Sequence, residues 1–251
     1  MSVGEMHLFS SSLLRQATFA FYVPSAQFEP PYPALLQLHG AGDNYASWFQ
    51  NSMLPVHLER YPFVVVTPAG DLSSWTNFGI KGRGTAYEDY LVQDLMPEVE
   101  RIFPIRPGPW AIGGLSMGGY GAVRLGLLYP DRFASIYAHS SALFRAERWR
   151  ERRPDITDED LAAADIFPYA ARVAGEPDRP ALTFDCGEDD PLLPDNRAFH
   201  AYLEEIGYPH TYHEYPGGHT WDYWNAHVQD ALARHAEVLG VTPLSPAGSS
   251  G

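Results

Sequence analysis

The stretch with the most chemistry in it is Gly113-Gly114-Leu115-Ser116-Met117-Gly118-Gly119, a G-x-S-x-G pattern lying between the apolar run WAIG and the helix-like segment YGAVRLGLLYP. A serine that attacks a carbonyl must stand clear of the fold, and a sharp strand-to-helix turn achieves this. The turn tolerates only very small neighbours, which explains Gly114 and Gly118. The helix that begins after Ser116 offers unpaired N–H groups and the positive end of its dipole, so Met117 N–H is the expected first donor to a developing oxyanion. Nucleotide readings of the same glycines fail. A P-loop requires Lys and then Ser or Thr after its last glycine, whereas Gly118 is followed by Gly119 and Tyr120. Likewise Gly119-Tyr120-Gly121 continues with Ala122, Val123 and Arg124, without the third glycine of a dinucleotide fingerprint.

A serine hydroxyl attacks well only when an imidazole takes its proton, and that imidazole needs a carboxylate to set its tautomer and stabilise its cation. In proteins built around such an elbow the chain order is Ser, acid, His. Of the ten histidines, His219 fits this order: it sits in Pro216-Gly217-Gly218-His219, after the strand-like TYHEY and before a final helical segment. His210 and His213 read as sheet residues, His227 and His235 as positions on the last helix. The acid is expected in Cys186-Gly187-Glu188-Asp189-Asp190-Pro191, with Asp190 preferred, Asp189 second and Glu188 third. Any of them could instead cap the helix that starts near Pro194. A second oxyanion donor is expected from His39-Gly40-Ala41-Gly42, where the flanking glycines let Ala41 N–H turn inward; His39 reads as a brace for that loop. No H-E-x-x-H set or similar ligand spacing occurs, and the chemistry calls for no metal and no organic cofactor. Trp48, Phe49, Trp75, Phe78, Trp221 and Tyr223 flank these loops, and Trp48, Trp75 and Trp221 are the expected substrate-binding side chains.

These residues must be held by a scaffold, and its outline is readable. Residues 34–38, 63–67, 110–113 and 181–185 are short apolar runs bounded by Pro, Gly or Asp, as buried strands are. Residues 87–103 and 228–239 repeat apolar side chains at helical spacing. Strands alternating with helices predict a mostly parallel central sheet with helices on both faces, and ligands at the carboxyl ends of its strands. Residues 144–174 interrupt this rhythm with the charged run AERWRERRPDITDED, and read either as a short insertion over the site or as a solvated excursion.

The chain has 251 residues and a mass of 28.0 kDa, a size at which one α/β domain is expected, over residues 1–240. The small, polar, proline-bearing stretch 241–251 is expected to be a disordered tail. A formal charge of −14 without a Lys/Arg stripe argues against nucleic acid as a partner. Cys186 is the only cysteine, so no internal disulfide can form. No run of about 18 apolar residues occurs, so no membrane span is expected; the reading is a cytoplasmic protein acting on a small-molecule ester, with a homo-oligomer left open.

Taken together, the ordered motifs LHGAGDNYASW, SWTN, YEDYLVQDLMPEVE, GGLSMGGYGA, FDCGEDDPLL and PGGHTWDYW resemble the esterase D-like branch of the α/β hydrolases over residues 8–239. That branch includes S-formylglutathione hydrolases, tributyrin-type carboxylesterases and feruloyl esterases. The resemblance implies the α/β-hydrolase fold, the acid three residues after the strand-end glycine (Asp190), and an oxyanion amide from the residue after His-Gly (Ala41). The expected activity is that of a serine carboxylesterase, hydrolysing short-chain acyl esters through an acyl-enzyme on Ser116. An acyltransferase, or a thioesterase such as an S-formylglutathione hydrolase, is the alternative within enzymes; a non-catalytic binding scaffold is the alternative outside them.

Overall fold

Leu38 pairs with Gly114 in a parallel register, and from this one pairing the placement of the site follows. A computed structural model describes residues 2–77 and 85–245. Eight strands form one sheet: β1 (Ser2–Ser10), β2 (Arg15–Val23), β3 (Ala34–Leu38), β4 (Val64–Pro68), β5 (Trp110–Leu115), β6 (Phe133–His139), β7 (Ala181–Gly187) and β8 (His210–Tyr215). Their spatial order is β1-β2-β4-β3-β5-β6-β7-β8. β1 and β2 run antiparallel, β2 joins β4 antiparallel, and the remaining pairs are parallel. The chain leaves β3 for β4 on one side and returns to β5 on the other. The loops after β3 and β5 therefore diverge at a topological switch point, where open α/β sheets bind ligands.

Helices cover both faces: α1 (Ser47–Asn51), α2 (Leu54–Leu58), α3 (Tyr87–Asp89), a π-helical segment Tyr90–Leu95, α4 (Met96–Ile102), α5 (Met117–Leu128), α6 (Ala146–Arg152), α7 (Asp158–Ala164), α8 (Phe167–Val173), α9 (Leu193–Glu205) and α10 (Trp221–Val238). The period of two along the strands separates two cores. Leu36, Val64, Val66 and Ile112 face α5 and the 87–102 helix. Leu35, Val65 and Ala111 face α2 and α10, against Leu54, Leu58, Val228 and Leu232.

The expected strands and helices are present: β3 has the expected bounds, β4 is shifted by one residue, and β5, β7 and α10 run longer than their apolar stretches suggested. The 87–103 helix is not uniform: Met96 N–H reaches back five residues to the Leu91 carbonyl, immediately before Pro97, which has no N–H to donate. The hairpin β1/β2 and strand β6 were not anticipated. In the 144–174 segment, α6 forms a wall of the cavity described below, while Tyr120 Oη and Arg124 Nε on α5 donate to the carbonyls of Ala164 and Ala163 at 2.8 Å each. Of the stretch expected to be a loose tail, residues 246–251 and likewise Phe78 lie outside the described residues. The described part departs from that expectation, because Leu244 N–H donates to Arg60 O and Arg60 Nε donates to Leu244 O.

Candidate active site

Ser116 is the hinge between β5 and α5, with φ of 53° and ψ of −115°, a left-handed conformation that costs a non-glycine residue energy and is held only by its surroundings. Those surroundings admit no extra atoms. A Cβ on Gly114 would stand 2.4 Å from the Gly118 carbonyl oxygen, and one on Gly118 would stand 2.4 Å from the Leu38 carbonyl oxygen. Ser116 N–H donates to His139 O at 2.9 Å, which ties the elbow to the end of β6.

The loops after β7 and β8 supply the partners. They cross at Gly187 and Gly217, where a Cβ on Gly187 would be 2.3 Å from the Gly217 oxygen. Asp189 N–H donates to that same Gly217 oxygen at 2.9 Å. This close crossing brings His219 between the other two side chains: its Nε2 lies 3.0 Å from Ser116 Oγ, and its Nδ1 lies 2.8 Å from Asp190 Oδ2. With the Asp190 carboxylate accepting from Nδ1–H, Nε2 is left to accept the serine proton. Leu192 N–H donates to Asp190 Oδ1 at 2.8 Å. Burial opposes the Asp190 charge, but the His219 and Leu192 hydrogen bonds outweigh it and hold the carboxyl below its usual range. The Asp189 and Glu188 side chains are exposed, so of the three candidates it is Asp190 that the structure brings to His219.

Ala41 and Met117 border the same cavity of about 460 Å³ as Ser116 and His219. Met117 is the first residue of α5, so its N–H has no acceptor within the helix. The loop before Ala41 is braced from beneath. His39 Nε2 accepts from Gly70 N–H at 2.9 Å, while its Nδ1–H donates to Gly40 O at 2.8 Å; burial lowers its pKa and keeps the ring neutral.

The expected aromatic pocket is corrected. Trp48 and Trp75 are fully buried and do not border the cavity. Their indole N–H groups donate to the Leu38 and His39 carbonyls at 2.9 and 3.2 Å, so they support the loop that carries Ala41. Trp221 stands edge-on to Trp48 and Trp224 at ring separations of 5.3 and 5.4 Å and is not among the described residues that line the cavity. Tyr223 is also buried and donates to Asp185 Oδ1 at 2.8 Å. The cavity wall is made instead by Tyr120, Phe144, Trp149 and Leu192, with Arg148, Arg152 and Arg153. The signal for the arginines was present in the charged run, where Arg148 and Arg152 are four apart on one helix face. Sequence reasoning also missed a second His/Asp pair, His139 Nδ1 to Asp185 Oδ2 at 2.8 Å. Both side chains are fully buried and closed off from the cavity. Among the described residues, no three His, Cys, Asp or Glu side chains converge as a metal-ligand set.

A family model described as "Putative esterase" matches residues 10–235. An acetyl esterase of Caldicellulosiruptor saccharolyticus is 27% identical over 266 residues, spanning 95% of this chain and 99% of its own. Among solved structures, a ferulic acid esterase superposes with a TM-score of 0.82 at 24% identity, over 94% of this chain and 98% of that one. An S-formylglutathione hydrolase of Agrobacterium tumefaciens does so with a TM-score of 0.84 at 21% identity, over 95% of each. At such identities the two structures speak to the α/β-hydrolase fold.

Proposed function

This chain belongs to the esterase family and is a serine carboxylic ester hydrolase, and from that premise we propose that Ser116, His219 and Asp190 are its nucleophile, base and orienting acid on short-chain acyl esters. The observation that carries the assignment is the relay of 3.0 Å from Ser116 Oγ to His219 and 2.8 Å from His219 to Asp190. Ser116 Oγ attacks the ester carbonyl as His219 Nε2 takes its proton, and the carbonyl oxygen gathers negative charge. Met117 N–H, at the start of α5, and Ala41 N–H, on the braced loop after β3, receive that charge. The imidazolium formed against Asp190 then protonates the departing alcohol, leaving an acyl group on Ser116. Water activated by the same imidazole hydrolyses it and restores the serine.

The short acyl preference is supported by the acetyl esterase whose full length this chain matches and by the close wall of Tyr120, Phe144 and Trp149. Residues 1–240 are read as one domain because both cores pack on the two faces of a single sheet. A cytoplasmic location belongs to the same proposal and rests on composition, a single cysteine that is buried. No helix among the described residues is long and apolar enough to cross a membrane.

With 4-nitrophenyl acetate, the wild-type protein should release a burst of nitrophenolate stoichiometric with enzyme and then a steady rate. Ser116→Ala should lose the burst and at least about 10³-fold in kcat. Undiminished turnover in that variant removes Ser116 from the mechanism.

A further inference from the structure

The wall contributed by α6 is basic in a strongly acidic molecule. The chain carries 17 Lys and Arg against 31 Asp and Glu, yet three arginines, Arg148, Arg152 and Arg153, border the cavity that holds Ser116, and no acidic side chain does so among its described lining residues. The other two arginines of residues 145–153 are engaged elsewhere. Arg150 pairs with Asp158 at the surface, and the Arg145 guanidinium stacks over the Phe167 ring at 4.0 Å. Arg145 and Arg150 are thus engaged elsewhere, while Arg148, Arg152 and Arg153 border the cavity that holds the nucleophile.

Two of the three are packed against the protein. The guanidinium carbons of Arg148 and Arg152 lie 5.0 and 4.9 Å from the centroid of the same Phe144 ring, which itself is buried. Arg148 reaches Asp195 at 3.3 Å, while Arg152 forms no ion pair among the described residues. Arg153 meets only the exposed Asp155, at 3.4 Å, a pairing that water weakens. Two guanidinium groups thus pack on one aromatic ring with a single carboxylate, Asp195, paired between them, and a bound anion would supply the missing counter-charge. Surface charges more than about 8–10 Å away are largely screened, so a ligand in the cavity meets chiefly the charges of the side chains that line it. The planar fork of an arginine matches a carboxylate in two parallel hydrogen bonds.

We propose that the substrate is an anionic ester, one bearing a carboxylate beyond the scissile bond, and that Arg148, Arg152 and Arg153 are its specificity-determining side chains. The inference rests on the esterase mechanism proposed above and specifies the class of ester it serves. The carboxylate could belong to the acyl part or to the alcohol part, and a paired experiment distinguishes them. The acyl arm compares mono-4-nitrophenyl adipate with its methyl ester. The alcohol arm compares 4-acetoxybenzoate with methyl 4-acetoxybenzoate, each rate divided by that of uncatalysed hydrolysis.

In one arm kcat/KM should favour the anionic ester by about tenfold to a hundredfold, the range of a charge-assisted contact. The preference should shrink at 0.5 M sodium chloride, on the order of several-fold. It should fall toward unity in Arg148→Gln and Arg152→Gln and stay in Arg150→Gln, which alters only the surface pair with Asp158. The salt measurement uses wild-type protein and stands even where a variant fails to fold. Equal rates for charged and neutral esters in both arms, with the nitrophenolate burst intact, overturn this inference and leave the mechanism standing. So does a preference that survives both cavity-wall substitutions. Absence of turnover on all four esters overturns the mechanism and this inference with it.

Discussion

At the scale of single residues, the choice between Asp189 and Asp190 shows what local sequence can decide. The loop Gly-Glu-Asp-Asp-Pro offers three consecutive carboxylates, and backbone turns of nearly equal cost could aim any of them inward. What selects Asp190 is remote: Gly187 passes 28 residues upstream of Tyr215 and is paired with it, and the crossing of their loops presses Gly217 against Gly187. Replacing Asp190 by Asn should therefore be far more damaging than replacing Asp189. The asparagine side chain would still accept from Leu192 N–H, but its amide would offer N–H to His219 Nδ1. That reverses the imidazole tautomer and aims Nε2–H at the serine. We expect Asp190→Asn to lower kcat on 4-nitrophenyl acetate by about 10²- to 10⁴-fold and Asp189→Asn by less than about threefold; equal losses would mean the two carboxylates share the role. Ser116 and His219 could be read from sequence because residue type, order and flanking glycines all constrain them. Trp48 and Trp75 could not, because an indole close to a catalytic motif looks the same in sequence whether it faces a ligand or donates to the Leu38 or His39 carbonyl.

At the scale of elements, the elbow works only if β5, α5 and the end of β3 approach more closely than side chains allow. Gly114 sits where all three meet, with Gly118 and Leu38 backbone atoms at 2.4 to 2.9 Å from the place a Cβ would occupy. Neither neighbour can rotate away. Gly114→Ala should thus lose at least about 3 kcal/mol of stability or fail to fold, whereas Gly175→Ala, which meets nothing within 4 Å, should change stability by under about 1 kcal/mol. Urea unfolding of the two variants makes the comparison; a mild effect at Gly114 would show that the elbow can open. The same strands explain what was legible in the fold. β3, β4, β5 and β7 are covered on both faces and so appear as continuous apolar runs. β1 alternates between solvent and partial burial, and its mixed residues resemble a loop until β2 is found beside it. The π-helical turn at Tyr90–Leu95 escaped for another reason: its apolar spacing fits an ordinary helix well enough, and only the hydrogen bond from Met96 to Leu91 reveals the extra residue.

For the molecule as a whole, the last helix closes the fold and holds the His219 loop against the sheet, and its attachment is sensitive to protons. His235 on α10 is fully buried, with Nδ1 2.8 Å from Ser135 Oγ on β6 and no partner for Nε2 among the described residues. Burial, reinforced by the nearby His139 and Arg234, pushes its pKa down to about 3, against about 6.5 in the unfolded chain. The folded state therefore binds fewer protons than the unfolded state between these values. Stability from the neutral ring is complete above pH 6.5 and is lost as the pH falls toward 3. By pH 5 the loss from this one group amounts to about 2 kcal/mol. A glutamine at this position keeps a polar side chain but cannot titrate, and carboxylates elsewhere contribute equally to both proteins. Denaturant unfolding at pH 7 and pH 5 should accordingly show wild type losing about 2 kcal/mol more than His235→Gln across that interval, even if the variant starts less stable. Parallel losses in the two proteins would mean that His235 reaches a proton acceptor on folding, and that the anchoring of α10 to the sheet does not depend on a neutral ring.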